Sequence, residues 1–474
     1  MNPAIRPILL AVVLPLAACH NNYDNSTTGP GQKTGAGPST GSGPSIALSP
    51  DRKDLIDAKT GKPFYIVGDS PQTLAVQVND ADVATYLEDR AARGFNAIWV
   101  ILADGGTTCD QSGCPKNYYG VPPFDGADFT NEDPAYWAHV DSVIEQAGNH
   151  GIIVWAMPMF VGVSGDYYNS SVLSTSDSKM KAYGAWLGAR YKNYPNIVWV
   201  LGGDTDMSNA GLAQKMGNLA AGIASTDPNH LMTMEPCRSA CSPGYQSSAG
   251  VWNQATPLTL NWVYPVFGVS YSFCALNYAR YPALPIMMGE DWYEGEHAMT
   301  NLQLREEAWW ESLSGCMAGR FFGNGAIWTM GGPHNAMGKT WQSQLNSPGS
   351  LAEQYLGKLM RSRKFWLLVP DSSHTVLTGG VGSGTSISAG ACTSDGQTCI
   401  IYDPVGNALP PQIAMGYFSG AVHAWWFNPS TAETIDLGTL LNKDTHTFIP
   451  RDDNDWVLVL DLNSAGLPPP GGSS

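Results

Sequence analysis

Positive charge is scarce in this chain of 474 residues, in which 25 Lys and Arg face 41 Asp and Glu and the formal net charge is −16. Charged residues make up only 14% of the sequence. Duplex nucleic acid is bound by broad basic surfaces, so we expect no nucleic-acid partner. Aromatic residues are plentiful, and 16 Trp, 20 Tyr and 13 Phe can fill a large core, which excludes a chain that is disordered throughout.

Long apolar runs are also lacking. The run Ile8–Leu16 follows a single Arg6 and is far shorter than the ~20 residues that span a bilayer, which is typical of an export signal. It leads into Leu-Ala-Ala-Cys at residues 16–19, which resembles a bacterial lipobox. We therefore predict a signal peptide over residues 1–19, cleavage before Cys19 and acylation of its thiol. An ordinary cleaved signal with a chance cysteine is the alternative.

Acylation of Cys19 would anchor the protein to a membrane of the bacterial cell envelope, and we expect the outer membrane, on its periplasmic or its outer side. The next segment, residues 20–45, is rich in Gly, Ser, Thr and Pro and holds one aromatic residue. It has too little apolar surface to fold, so we predict a flexible tether.

Clustered cysteine motifs are absent too. A zinc site needs a CxxC pair or neighbouring histidines, and neither occurs, so we predict no metal and no cofactor. Besides Cys19 the chain has eight cysteines, and an even number in an exported protein indicates disulfides. Sequence alone does not determine the pairing, but the neighbours along the chain are Cys109 and Cys114, Cys237 and Cys241, Cys274 and Cys316, and Cys392 and Cys399.

Short apolar runs alternate with amphipathic segments from Pro63 onward. Near-continuous apolar strands are typical of a parallel sheet that is buried on both faces. We predict a (β/α)8 TIM barrel over residues 46–363; a doubly wound sheet is less favoured because no Gly-rich phosphate loop follows the first run. The predicted strands are Phe64–Gly68, Ala97–Leu102, Ile152–Pro158, Ile197–Leu201, Leu231–Met234, Leu258–Tyr264, Ile286–Gly289 and Ala326–Trp328. Helices are predicted at Ala81–Arg93 and Tyr136–His150.

After Arg363 the pattern changes to short alternating strands separated by turn residues. This change predicts a second domain, a small all-β sandwich over residues 364–474. Its predicted strands are His374–Leu377, Thr385–Ser388, Cys399–Tyr402, Val422–Trp426, Thr447–Ile449 and Trp456–Leu460.

Two carboxylates follow predicted barrel strands. Asp204 follows the fourth run after Gly202-Gly203, and Glu290 follows the seventh run after Gly289. The carboxyl ends of barrel strands carry the active site, and cleavage of an acetal needs one carboxylic acid and one carboxylate. We therefore predict both residues to be catalytic. The alternatives are that Asp204 caps the next helix, although Asp206 could do so instead, and that Glu290 forms a salt bridge with Arg320.

Other polar residues lie near the same strand ends. Asp69 ends the first run, and we expect it to hydrogen-bond substrate. Asp291, Glu294 and Glu296 share the loop of Glu290, and we expect some of them to be supporting residues, since repulsion between crowded carboxylates can raise one pKa for acid catalysis. Aromatic residues suit the apolar faces of sugar rings, and the candidates for substrate stacking are Trp155, Trp262, Tyr264, Trp292, Tyr293 and Trp328.

These residues resemble those of the apiosidase-like glycoside hydrolases, from about Ile46 to Leu462. The motifs that carry the resemblance are Phe64-Tyr-Ile-Val-Gly-Asp-Ser70, Tyr86 through Asn96, Asn196 through Asp204, Glu290-Asp-Trp-Tyr-Glu-Gly295 and Gly323 through Trp328. The resemblance implies a barrel glycosidase with Asp204 as acid/base and Glu290 as second carboxylate. The tail is similar to the β-sandwich usually attached to that barrel, whose family label refers to collagen binding.

One departure from the family concerns the residue after the fifth strand. The family often has His-Pro there, whereas this chain has Glu235-Pro236. We include Glu235 among the substrate-binding residues. The departure leaves the sugar open, so apiose in pectin is one candidate only.

The sequence thus predicts a monomeric glycoside hydrolase that cleaves plant or microbial poly- or oligosaccharides with two carboxylates and retains anomeric configuration. One alternative is a surface lipoprotein that binds glycan without cleaving it. Another is an esterase with Ser70 as nucleophile, because Gly68-Asp69-Ser70 is similar to the start of a GDSL motif. Pro71 stands where the motif usually has Leu, which argues against the esterase.

Overall fold

A computed structural model describes residues 41–104, 116–125, 129–163, 167–238 and 247–472. The predicted signal peptide, the acylation of Cys19 and most of the predicted tether lie outside these residues, as do Cys109, Cys114 and Cys241. Within the described ranges no helix is long and apolar enough to cross a membrane.

Eight parallel strands form the predicted barrel. Two short antiparallel strands, β1 (Ile46–Leu48) and β2 (Leu55–Asp57), precede it. The barrel strands are β3 (Ile66–Asp69), β4 (Ala97–Ile101), β5 (Ile153–Met157), β6 (Ile197–Thr205), β7 (Met232–Pro236), β8 (Asn261–Val263), β9 (Ile286–Met288) and β10 (Gly319–Phe322). They are ordered β7-β6-β5-β4-β3-β10-β9-β8. The ring closes where the Thr259 N–H, just before β8, donates to the Met232 carbonyl at 2.8 Å.

The strands separate two apolar layers because their side chains alternate in direction. On β4, Trp99 and Ile101 pack inside the barrel, whereas Ile98 and Val100 pack against the surrounding helices. On β5, Trp155 is likewise inside. Both faces of these strands are therefore apolar, which is the pattern that the sequence shows.

The eighth predicted strand is wrong. Ala326–Trp328 forms turns after the last strand, and the eighth strand is β10, which pairs with β3 and β9. Arg320 interrupts the apolar character of β10, but its charge is compensated inside the protein by acidic side chains. Because Arg320 is charged, a prediction based on apolar runs did not recognise β10 as a strand.

Helices cover the outside of the barrel and begin at capping side chains. Asn79 accepts from the N–H groups of Ala81 and Asp82, and Thr300 forms a capping box with Gln303. The predicted helices correspond to α2 and α3. The helices are α1 (Leu74–Gln77), α2 (Asp80–Ala92), α3 (Pro134–Asn149), α4 (Asn169–Ser174), α5 (Asp177–Tyr191), α6 (Ala210–Thr226), α7 (Ser248–Val251), α8 (Ser270–Arg280), α9 (Asn301–Ser314), α10 (Trp341–Gln344) and α11 (Pro348–Arg361).

Two antiparallel sheets follow the barrel, as predicted for the C-terminal part of the chain. Their strands are β11 (Leu368–Pro370), β12 (Leu377–Gly379), β13 (Ala389–Thr393), β14 (Thr398–Asp403), β15 (Gln412–Ala414), β16 (Val422–Phe427), β17 (Thr434–Leu440), β18 (Thr445–Thr447) and β19 (Trp456–Leu462). One sheet has the order β11-β13-β14-β19-β16-β17 and the other β12-β15-β18. The expected strand Thr385–Ser388 is wrong, since it is a 3-10 turn that leads into β13.

The larger sheet packs on the barrel through α9. Trp309 stacks on Tyr402 with ring centroids 6.1 Å apart, and the Trp310 indole N–H donates to the Ile387 carbonyl at 2.7 Å. Two ion pairs with N···O distances of 2.7 Å join the same parts, Arg305 with Asp455 and Arg363 with Asp461. The barrel and the larger sheet therefore share one apolar cluster.

Disulfides join Cys274 to Cys316 and Cys392 to Cys399. Both are pairs of neighbouring cysteines in the sequence. Cys237 is also disulfide-bonded. These bonds agree with the prediction that the cysteines are oxidised.

Candidate active site

A cleft with about 160 Å³ of free space opens at the carboxyl ends of the barrel strands. Asp204 at the end of β6 and Glu290 just after β9 both line it. The sequence separates these residues by three strands, and the closed barrel returns them to one opening. The remaining lining residues are Gln72, Phe160, Tyr167, Arg238, Tyr264, Asp291, Trp292, Tyr293, Glu296, His297 and Trp328.

An unusual backbone conformation determines the position of Asp204. Gly202 and Gly203 have φ of +94°, and Asp204 itself has φ of +45°. A side chain at Gly203 would collide with the Phe160 ring, since an added Cβ would lie 2.6 Å from it. The residue that caps α6 is Asn209, which accepts from the N–H groups of Gly211 and Leu212. Asp204 is therefore not a helix cap, and neither is Asp206.

Glu290 is held by hydrogen bonds on a tightly packed loop. Gly289 precedes it and has no room for a side chain because the Trp262 ring covers it. The Tyr293 hydroxyl donates to the Glu290 carboxylate and accepts from the Gln72 amide at 2.6 Å. Glu235 is also hydrogen-bonded to Glu290. Glu290 does not pair with Arg320, whose partner on this loop is Asp291.

Both carboxyl groups have raised pKa values. Burial raises the pKa of Asp204 to about 6, while the positive charge of Arg238 and a hydrogen bond from Tyr264 act in the opposite direction. Burial also raises the pKa of Glu290 to about 7, against the hydrogen bonds from Glu235 and Tyr293. Near neutral pH, one proton can therefore reside on the pair, as acid/base catalysis requires.

Glu235 lies beneath the cleft, at the end of β7, and is 0% exposed. Its Oε1 accepts from the Asp204 N–H at 3.4 Å. Burial and the charges of Glu290 and Asp204 raise the pKa of Glu235 well above its ordinary value. The prediction that Glu235 contacts substrate is wrong, because Glu235 is fully buried and does not line the cleft.

Arg238 is a cleft residue that the sequence analysis missed. Its guanidinium lies 5.2 Å from the centre of the Tyr264 ring and 5.1 Å from that of Trp292. This position orients the cation by cation–π contacts and brings its charge close to Asp204 and Glu290. Its place two residues after β7 was the only signal in the sequence.

Four of the predicted aromatic residues line the cleft, namely Tyr264, Trp292, Tyr293 and Trp328. The Trp328 indole N–H donates to Glu296 at 2.6 Å, and the Trp292 ring lies edge-to-face with His297 at 3.9 Å between ring centres. Phe160 and Tyr167 complete the aromatic wall, and their rings are 4.7 Å apart. They belong to the loop after β5, which carries no motif that the sequence analysis could use.

Two other predicted aromatic contacts are wrong. Trp155 and Trp262 are 0% exposed and pack around Phe321 inside the barrel. Each faces the inside of the barrel from its strand and does not line the cleft. They support the floor of the site through packing, as the Trp262 contact with Gly289 illustrates.

Asp69 is also misassigned as a substrate contact. It is 0% exposed, and its carboxylate accepts from the Tyr86 hydroxyl at 2.6 Å and pairs with Arg90 at 3.2 Å. Both partners come from α2, so Asp69 joins this helix to the barrel. Ser70 is 1% exposed and absent from the cleft wall, which opposes the esterase alternative.

The acidic residues near Glu290 have separate partners. Asp291 pairs with Arg320, which also binds Glu311 at 2.9 Å and Glu353 at 2.5 Å. Glu294 accepts from the Asn324 side chain at 2.9 Å and from the Gly349 N–H at 3.1 Å. Asp291, Glu307 and Glu311 are close enough to share a metal ion, but Arg320 supplies a positive charge to this cluster. These contacts do not involve Glu290, so the expected support of Glu290 by Asp291 and Glu294 stays a prediction.

An eight-stranded α/β barrel with two carboxylates and an aromatic wall in one cleft defines the class of barrel glycoside hydrolases. Residues 49–367 match the family model "Apiosidase-like, catalytic domain", so the chain belongs to the apiosidase-like family and is a glycoside hydrolase. Residues 369–461 match the model "Putative collagen-binding domain of a collagenase".

Solved structures agree with this assignment. One named "Glycoside hydrolase" is 25% identical, with a TM-score of 0.76 over 90% of this chain and 98% of its own. A glycoside hydrolase family 5 structure from Bacteroides vulgatus ATCC 8482 shares the fold at 24% identity, with a TM-score of 0.76 over 89% of this chain and 94% of its own. Comparison with curated protein sequences gave no significant match.

Proposed function

We propose that the enzyme hydrolyses glycosidic bonds of a poly- or oligosaccharide by a retaining mechanism, with Asp204 as acid/base and Glu290 as nucleophile. The observation that carries the proposal is the pair of carboxyl groups with raised pKa values that line one aromatic cleft. The pKa of Glu290, about 7, lies above that of Asp204, about 6, so the shared proton favours Glu290 in the enzyme without substrate. We assign the roles from the family resemblance, in which Asp204 is the acid/base, and from the hydrogen bonds of Tyr293 and Glu235 to Glu290, which favour its ionised form.

The first step transfers the Asp204 proton to the glycosidic oxygen as the Glu290 carboxylate attacks the anomeric carbon. The bond to the leaving oxygen breaks, an alcohol departs and a glycosyl ester forms on Glu290. In the second step Asp204 takes a proton from water, the water oxygen attacks the anomeric carbon and the carboxylate of Glu290 leaves. Asp204 regains its proton, so the cycle closes without a cofactor.

The aromatic wall supports a carbohydrate substrate. Trp292, Trp328 and Tyr264 offer flat apolar surfaces beside the two carboxylates, and sugar rings present C–H faces to such surfaces. Arg238 adds a fixed positive charge that stabilises the ionised forms of the carboxylates. Apiose is the candidate sugar that the name of the family suggests.

Variants and azide test the two catalytic roles. We expect Asp204→Ala and Glu290→Ala each to lower kcat at least about 100-fold on polysaccharide. On an aryl glycoside with a good leaving group, azide should rescue Asp204→Ala with retained configuration and Glu290→Ala with inverted configuration. Asp206→Ala is the matched control, because its carboxylate accepts from the Ser208 N–H and hydroxyl and does not line the cleft, and it should keep full activity.

A panel of plant and microbial polysaccharides, with apiose-containing pectin among them, provides the substrates. Release of product by the wild type and undiminished release by either alanine variant would refute the residue assignment. A protein that binds glycans and releases no product would instead be the binding protein of the alternative hypothesis.

We also propose that a lipid on Cys19 attaches a monomeric enzyme to the bacterial cell envelope. The lipobox-like ending Leu-Ala-Ala-Cys and the polar segment after it support this proposal. Expression of the full chain should place it in the membrane fraction, and Cys19→Ala should release it or leave it unprocessed. A Cys19→Ala protein that has lost its signal peptide and yet stays in the membrane fraction would contradict lipid attachment, and sedimentation of the soluble form tests the monomer.

A further inference from the structure

Glu235 makes contact with both proposed catalytic residues. Its Oε1 accepts from the backbone N–H of Asp204, and Glu290 lies within hydrogen-bond reach of the same carboxyl group. The Oε2 atom of Glu235 is buried, and none of the described residues donates a hydrogen bond to it. Two carboxylates without a proton between them cannot form a hydrogen bond.

A proton on Oε2 of Glu235 would allow the hydrogen bond between Glu235 and Glu290. An ionised Glu235 would be a third buried negative charge beside Asp204 and Glu290, with Arg238 as the cation nearby. Burying an unpaired carboxylate costs far more than burying a neutral acid. The protonated oxygen would donate to Glu290, while Oε1 continues to accept from the Asp204 N–H.

We propose that Glu235 is a positioning residue that stays a neutral carboxylic acid, donates a hydrogen bond from Oε2 to Glu290 and accepts one from the Asp204 backbone at Oε1. This inference rests on the proposed roles of Asp204 and Glu290. Glu235 fixes the orientation of the nucleophile and the left-handed backbone of the acid/base through one side chain. It also stabilises the ionised form of Glu290, because a hydrogen bond to a charged group favours that charge.

Glutamine is the neutral isostere that tests this role. In Glu235→Gln, the amide N–H group can donate to Glu290 and the amide oxygen can accept from Asp204, so we expect kcat/KM within about threefold of the wild type. Glu235→Leu has neither group, and we expect kcat to fall about 10- to 100-fold. The acidic limb of its pH profile should move to higher pH, because Glu290 loses a donor to its ionised form.

A second readout does not depend on turnover. At neutral pH, infrared difference spectra of wild type and Glu235→Gln should show that the variant lacks the C=O band of one neutral carboxylic acid. The control pair is Glu306→Gln and Glu306→Leu on α9, a buried carboxyl group that faces Asp455 and not the cleft. Neither substitution should change the pH profile.

The outcomes separate this inference from the proposed function. A wild type without glycosidase activity would end the proposed function, yet loss of the infrared band in Glu235→Gln would still establish a neutral Glu235. An active wild type with an inactive but folded Glu235→Gln would overturn the inference, because Glu235 would then need its own proton or charge. If Glu235→Leu does not fold, Glu235→Gln and the infrared band decide alone.

Discussion

At the scale of single residues, the pKa values of both catalytic candidates, Asp204 and Glu290, are raised. An ordinary Asp or Glu has a pKa near 4, so a pair of ordinary carboxyl groups would hold no proton at neutral pH. Here burial raises the pKa to about 6 for Asp204 and to about 7 for Glu290. The singly protonated pair is the form that a two-carboxylate mechanism uses.

The pH dependence follows from these values. Below about pH 6 both carboxyl groups are protonated and the nucleophile is lost, whereas above about pH 7 both are ionised and the acid is lost. We expect a bell-shaped profile of kcat/KM with its maximum between these limits. Initial rates measured from pH 4 to 9 on one substrate test it, and a maximum near pH 4 would contradict it. Because Asp204 and Glu290 interact, each limb of the pH profile reports the titration of the pair and not that of one residue.

Arg320 is the second residue on which the site depends, although it does not contact the cleft. It is bound to Asp291, Glu311 and Glu353, all of them buried. Removal of one member of a buried ionic cluster leaves uncompensated charge. Arg320 thereby fixes the loop that carries Glu290.

Replacement of Arg320 should reveal this dependence. We expect Arg320→Met to lower the free energy of unfolding by about 3–5 kcal/mol, because it strands buried carboxylates. Arg451→Met removes an exposed pair with Glu433 and should cost at most about 1 kcal/mol. Urea unfolding of both variants gives the comparison. Equal losses in the two variants would refute the argument.

At the scale of elements, the end of β6 determines where Asp204 lies. Three successive residues there have positive φ, namely Gly202, Gly203 and Asp204; glycine adopts such angles without strain, and Asp is one of the few other residues that tolerate them. Gly203 also packs against the Phe160 ring, which belongs to the loop after β5. The turn at the end of β6 therefore packs directly against the aromatic wall of the cleft.

A substitution at Gly203 tests this link between elements. Gly203→Ala combines backbone strain with a collision, so we expect a loss of more than about 2 kcal/mol in stability and a marked fall in kcat. Gly396→Ala is the matched control: φ is +67° in the turn between β13 and β14, and an added Cβ meets no atom within 4 Å. It should cost about 1 kcal/mol and leave kcat unchanged. Thermal unfolding and initial rates measure both effects.

The elements also show what a sequence can predict. Seven of the eight barrel strands follow from apolar runs, and the strand ends give Asp204 and Glu290. Such runs do not distinguish an inward-facing Trp155 from a cleft residue, because both are aromatic and lie close to a strand end. They also miss β10, where the buried Arg320 breaks the pattern, and Arg238, whose role depends on two rings from other parts of the chain. Long-range packing determines all of these features.

At the scale of the whole molecule, the barrel and the larger sheet of the C-terminal part depend on each other. Trp309 and Trp310 of α9 are buried by this sheet together with Phe427, Val457 and Val459. A barrel without the sheet would expose these two tryptophans to water. An apolar patch of that kind is unfavourable for a protein that acts in solution or at a surface.

The shared cluster predicts that both parts unfold together. We expect calorimetry to give one cooperative transition, and Trp309→Ala to lower the stability of the whole by about 3–5 kcal/mol because it opens a cavity at the junction. The control is Leu441→Ala, since Leu441 is 69% exposed and its truncation should cost about 1 kcal/mol or less. Two separate transitions in the wild type, with Trp309→Ala lowering only one, would show that the β-sheets are an independent unit. A single transition in the wild type that shifts as a whole in Trp309→Ala would show that the sheets contribute to the stability of the barrel.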